Sequence, residues 1–186
     1  TATSTATTTP CSEIRADVVF VIDVSASVAT AGGCDKMNLV RRFTATVIES
    51  FGDFVSEEGI RVAAIVYSDT AAVAFDFDDN GFDNARILSE LRNMKPVVGS
   101  GTLAHTAYET LVQELLVVGG DNGFRHYAAP VIVVTLSDGE TLVPENNPNA
   151  LMNALAVPAL NNPDITRLAF DTGNNPDRTL LNLMAS

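Results

Sequence analysis

Five apolar residues, Val18 to Ile22, run without a break and end on Asp23. A run of that length, rich in β-branched side chains, fits a strand covered on both faces. Oxygen-bearing side chains follow at alternating positions: Asp23, Ser25 and Ser27. Two structures suit them. A buried strand that delivers one carboxylate and two hydroxyls to its end makes half of a hard-cation site, because Mg²⁺ and similar ions take oxygen ligands. The same residues also make an Asp/Ser turn that caps the next helix.

Further along, apolar runs and helical spacings alternate. Met37, Val40, Thr44, Val47, Phe51 and Phe54 recur at steps of three and four, which predicts an amphipathic helix from about Asp35 to Val55 with Arg41, Arg42 and Glu49 away from its stripe. Arg61–Tyr67 is a second strand, ending in Ser68-Asp69-Thr70. In Ala72–Phe77, Val73, Phe75 and Phe77 alternate with Ala74 and Asp76, as in an edge strand half exposed to water. A short helix is expected over Asp83–Met94. A longer one, over Leu103–Val118, has Ala104, Ala107, Leu111 and Leu115 on one face. Val131–Leu136 is another buried strand, followed by Ser137-Asp138-Gly139-Glu140. One or two helices interrupted by Pro158 lie between Asn149 and Leu160, then a strand over Ile165–Phe170. Asn175-Pro176-Asp177 starts a last helix anchored by Leu180, Leu181 and Met184. This order predicts a doubly wound α/β fold, with a mostly parallel sheet, one antiparallel edge strand and helices on both faces.

The chain has 186 residues, 46% of them hydrophobic, enough for one domain with a real core. Its formal net charge of −12 argues against nucleic acid and anionic membranes as partners and suits the capture of cations. No apolar run approaches the roughly 20 residues of a membrane span. Residues 1–15 open on the Thr/Ala-biased TATSTATTTP, which suits a linker, a stalk end or a boundary remnant, with the folded domain over 16–186. The absence of an initiator Met and of a signal peptide suggests a domain cut from a longer protein. Cys11 and Cys34 fit no zinc motif; an even count allows one disulfide and is equally ordinary in a reduced protein.

In doubly wound sheets, sites form beyond the carboxyl ends of strands where the strand order reverses. If the two most apolar strands are neighbours there, Asp23 and Asp138 face each other, and the loop Gly99–Thr102 brings the Thr102 hydroxyl beside them. Two carboxylates crowded together repel, and a divalent cation removes that penalty. Asp23-x-Ser25-x-Ser27, Gly101-Thr102 before a helix and Thr135-Leu136-Ser137-Asp138-Gly139 resemble the metal-ion-dependent adhesion site of von Willebrand factor A domains, also called integrin I domains. Tyr67-Ser68-Asp69 fits the same family, and the likeness covers about Ala16 to Ser186. The resemblance implies a Rossmann-like fold and Mg²⁺ or Mn²⁺ held by Ser25, Ser27 and Thr102, with Asp23 and Asp138 bound directly or through water. It implies an adhesion module, extracellular or at the cell surface and part of a larger protein, that takes a Glu or Asp carboxylate of a protein ligand. Phe170–Gly173 and Pro158 depart from the family pattern without touching this set.

Three rim residues are candidates beside the metal set: His105, Glu140 and Asp69. Each also suits a plain solvated or packing role. Asp76-x-Asp78-x-Asn80-Gly81 matches the first half of a Ca²⁺ loop, but Ile87 stands where the bidentate acid belongs, so a weak second Ca²⁺ site competes with a plain acidic turn. Ca²⁺ is also a substitute ion for the main site. Ser25 and Ser27 lack the G-x-S-x-G setting of a nucleophile, so no enzyme is expected. Alternatives to adhesion are an intracellular scaffold of the same fold and a metal-dependent hydrolase.

Overall fold

In a computed structural model, strand β1 (Ala16–Asp23) is buried along its whole length. The structure describes residues 14–30, 36–94, 101–139, 147–172 and 178–185. The Thr-rich start, both cysteines, Glu140, Gly173 and the Asn175–Asp177 helix start lie outside that set, as do most of the Pro96–Gly101 loop and the first expected residue of the long helix, Asp35.

β1 is central because its neighbours are the other apolar runs, β2 (Ile60–Tyr67) and β4 (Val131–Ser137), both parallel to it. β3 (Ala71–Phe75) pairs antiparallel with β2, and β5 (Ile165–Asp171) parallel with β4, giving the order β3-β2-β1-β4-β5. The expected antiparallel edge is thus β3. Its Ala72 and Ala74 are exposed while Phe75 is buried.

The period-2 alternation of β1 feeds two cores. Val18, Phe20 and Ile22 meet helices α2 (Lys36–Phe51) and α3 (Asn84–Asn93) through Met37, Val40, Ile48, Ile87 and Leu91. Val19 and Val21 share the opposite core with α4 (Ala104–Thr110) and its continuation Leu111–Leu115, which widens to a π turn closed by Leu116 N–H to Leu111 O at 2.9 Å. α5 (Ala150–Leu155) and α6 (Arg178–Met184) complete that layer.

Three details differ from the sequence expectation. α2 ends at Phe51, not Val55, because Gly52 takes φ +52°, a left-handed conformation that stops a helix. Phe54 therefore sits on a 3₁₀ turn, 45% exposed, and Ile48 fills the buried stripe after Val40 and Thr44. Thr44 can be buried because its hydroxyl donates to Val40 O at 2.9 Å. A five-residue helix, α1 (Ala26–Thr30), stands directly after β1 where no helix is expected. Pro158 does not break a helix; α5 has already ended, and Pro158 opens a separate 3₁₀ turn. In α6, Leu181 and Met184 are buried and Leu180 is half-buried.

At the amino end of β1, Asp17 is fully buried and accepts from Arg125 Nη2 at 2.6 Å and Nε at 2.9 Å, both at Oδ1. Beside α2, the described residues of the β4–β5 half of the sheet line an apolar groove of about 300 Å³, Phe43, Ile132, Leu168 and Phe170 among them. Among the described residues no helix is long and apolar enough to cross a membrane.

Candidate metal centre

β1 ends at Asp23, and Val24 N–H still donates to Tyr67 O on β2, at 2.9 Å. The chain then enters α1, where Val28 N–H reaches Ser25 O at 3.1 Å. Asp23 is 0% exposed. Its Oδ1 accepts from the Ser25 amide at 2.9 Å and its Oδ2 from the Ser137 hydroxyl at 3.1 Å. The Asp/Ser turn anticipated from sequence is therefore present, and it occupies one oxygen of the carboxylate. The Ser25 and Ser27 hydroxyls lie 3.0 Å apart, Ser25 buried and Ser27 half-buried.

β4 arrives alongside. Its register with β1 ends on Ile22 and Leu136, which sets Ser137 abreast of Asp23 and Asp138 just beyond. Asp138 is 3% exposed. Gly139, at φ +77°, sends its amide back to the Ser137 hydroxyl at 3.1 Å and so closes the turn under Asp138. The Asp23 carboxyl is pushed up to about 6, chiefly by burial, with the Asp138 charge adding to it; hydrogen bonds from Ser25 and Ser137 pull the other way. Burial, and then the charge of Asp23, also raise the Tyr67 hydroxyl well above the usual tyrosine range. Among the described residues neither that hydroxyl nor the buried Ser68 hydroxyl has a hydrogen-bond partner.

Thr102 comes from the third loop. It is 7% exposed, and the next residue pins the loop to the end of β2, where Leu103 N–H donates to Ser68 O at 2.7 Å. β2 pairs with β1 at Tyr67 and Asp23, so all three loops end on the same side of the sheet. Asp23, Ser25, Ser27 and Asp138 form one cluster, with Thr102 held at the adjoining strand end.

The rim candidates fare differently. His105 is half-buried in the first turn of α4, Asp69 is exposed past β2, and Glu140 is not described. In the acidic turn, carboxylate oxygens of Asp76, Asp78 and Asp79 lie within 4.8 Å of one another, so Asp79 takes the place expected of Asn80, which is buried. Asp76 there already accepts the Asp78 and Asp79 amides at 3.1 and 2.9 Å.

Sequence reasoning missed Lys36. Its Nζ stands 3.7 Å from Asp138 Oδ2, and the two side chains are 11% and 3% exposed. The two residues lie far apart in the chain, so no local pattern signals the contact.

The donor set fits a hard divalent cation. It offers two buried carboxylates, one of them held well above its ordinary range, and three hydroxyls, with no soft or imidazole donor among them.

A von Willebrand factor type A domain model matches residues 17–186. Two solved structures of proximal thread matrix protein 1 from the mussel byssus share the fold. Their TM-scores are 0.73 and 0.74 at 18% and 20% identity, over 94% and 93% of this chain and 42% and 40% of theirs. A third structure, of the same protein with a zinc-occupied MIDAS motif, has a TM-score of 0.74 at 17% identity over 94% of this chain and 42% of its own. This chain spans about two fifths of the length of those it matches, and at such identities the likeness is one of fold.

Proposed function

Because the chain belongs to the von Willebrand factor type A domain family, we propose that it is a divalent-cation-dependent binding module that captures an acidic group of a protein ligand. The observation that carries this is the buried pair Asp23 and Asp138, set among the Ser25 and Ser27 hydroxyls where three loops end. Ser25, Ser27 and Thr102 are the proposed direct ligands of Mg²⁺ or Mn²⁺; Asp23 and Asp138 bind directly or through water. A bound ion held largely by neutral hydroxyls keeps most of its charge, and it supplies an electrophilic position for an incoming Glu or Asp carboxylate. Asp23 is kept in place by Ser25 and Ser137, and the Gly139 amide fixes Ser137 in turn. These contacts hold the oxygens before the ion arrives and lessen the reorganisation that binding requires.

Ca²⁺ is the expected substitute ion. The Asp76, Asp78 and Asp79 turn, already engaged with its own amides, supports at most a weak Ca²⁺ site. We assign binding to residues 16–186 and a linker role to 1–15, and we place the module outside the cell, in a matrix or surface setting, as part of a larger protein. A matrix protein among its structural neighbours supports that setting.

The test uses Mn²⁺ as probe and follows water proton relaxation. Chain-bound Mn²⁺ should enhance relaxation, and a Glu-bearing peptide should lower the enhancement by displacing water, whereas its Gln counterpart should not. Equal effects of the two peptides would remove the acidic-ligand reading.

A further inference from the structure

We infer that Lys36 is a built-in counter-cation of the site, occupying Asp138 in the metal-free protein and competing with the divalent ion for it. The inference rests on the cation-binding reading above. Its geometry is independent of that reading, because Lys36 Nζ lies 3.7 Å from Asp138 Oδ2 with both side chains almost wholly withdrawn from water.

Three observations support it. First, a lysine charge is costly to withdraw from water unless it is paired, and Lys36, 11% exposed, stands within ion-pair distance of Asp138, 3% exposed. Second, the carboxylate it faces has a second one beside it, because Asp138 follows Ser137, whose hydroxyl donates to the fully buried Asp23 at 3.1 Å. With Asp23 and Asp138 ionised, the cluster carries a charge of −2, and one ammonium brings it to −1. Third, lysine is a point charge on a flexible stem, able to hold a carboxylate in one state and leave it in another. A divalent ion and an ammonium on the same carboxylate repel strongly in a poorly solvated pocket. Filling the site therefore requires Lys36 to swing away from Asp138, and its presence lowers metal affinity. The site would fill only where divalent cations are concentrated enough to displace an internal one.

The experiment titrates Mn²⁺ into the whole 186-residue chain and follows free Mn²⁺ by electron paramagnetic resonance. Lys36→Met should bind Mn²⁺ about tenfold tighter or more than the wild type, while Lys36→Arg, which keeps the charge, should stay within about threefold. A second measurement needs no variant. The chain has only two lysines, Lys36 and Lys95, so acetylation read by mass spectrometry can report each separately. Lys36 should be protected in EDTA and become reactive on adding Mg²⁺, with Lys95 as the internal reference. Wild-type binding that Lys36→Met leaves unchanged or weakens, or Lys36 reactivity indifferent to Mg²⁺, would overturn the counter-cation role while sparing the cation site. Absence of Mn²⁺ binding in every form would overturn both.

Discussion

The two ends of β1 each bury an aspartate, and the protein treats them in opposite ways. Asp17 lies against Arg125, whose guanidinium reaches it through Nε and Nη2 and whose backbone amide adds a contact at 3.3 Å. Six residues later Asp23 is equally buried, yet among the described residues its donors are the neutral Ser25 amide and Ser137 hydroxyl, and it faces a second carboxylate. One cation of the chain closes the amino end. At the carboxyl end a cation with a flexible stem, Lys36, stands 3.7 Å from Asp138. A buried carboxylate with its own arginine is a structural part. Buried carboxylates that crowd each other beside the Ser25 and Ser27 hydroxyls have the chemistry that the proposed metal site requires.

The contrast can be broken most severely at the amino end. Arg125→Met should destabilise the protein by about 3–5 kcal/mol in urea denaturation, since it leaves Asp17 buried and uncompensated. A loss below about 1 kcal/mol would mean that Asp17 does not depend on its partner. The carboxyl end should show the reverse sensitivity through pH. Asp23 titrates near 6 in the folded metal-free protein and near 3.8 when unfolded, so the folded state holds its proton more tightly. Its contribution to stability is most favourable below pH 3.8 and falls as pH rises through the window to about 6. The full penalty, roughly 3 kcal/mol, is present above that. Denaturation in EDTA from pH 4 to 7.5, wild type minus Asp23→Asn, should trace that fall, and stabilisation by Mg²⁺ should grow over the same window as proton competition fades.

Asp23→Asn at pH 8 should leave the metal-free protein about 1–2 kcal/mol more stable and abolish its response to Mg²⁺. Asp17→Asn should be destabilising, because it strips the charge that Arg125 needs. If both substitutions shift stability in the same direction, the distinction between the two ends fails. A smaller effect is expected one layer away. Tyr108 and Thr135 share a buried hydroxyl contact at 2.8 Å, so Tyr108→Phe should remove about 1 kcal/mol and leave metal affinity alone.

Much of this was legible in the residues. Unbroken apolar runs identify β1 and β4 as inner strands, and inner strands become neighbours, which brings Asp23 and Asp138 together. The alternation of Val73 and Phe75 with Ala74 identifies the half-exposed edge. What escaped has two physical origins. Some features are too short to carry a period: α1 has five residues, and the end of α2 depends on the conformation of the single Gly52. Others are contacts between distant parts of the chain. Arg125 lies 108 residues from Asp17, and Lys36 meets Asp138 only once α2 is laid against the sheet. The apolar groove beside β5 is of the second kind, because side-chain spacing says which faces are apolar and not how they meet.

The central claim is that three loops pool their oxygens on one divalent ion, and Thr102 tests it most directly because its loop reaches the cluster from the end of β2, where Leu103 N–H donates to Ser68 O. Equilibrium dialysis against Mn²⁺ should find a single bound ion per wild-type chain and a loss of at least about tenfold in affinity for Thr102→Ala, with the fold intact by circular dichroism. Undiminished binding by Thr102→Ala, or a wild-type chain that takes up no Mn²⁺ at millimolar concentration, would contradict the account.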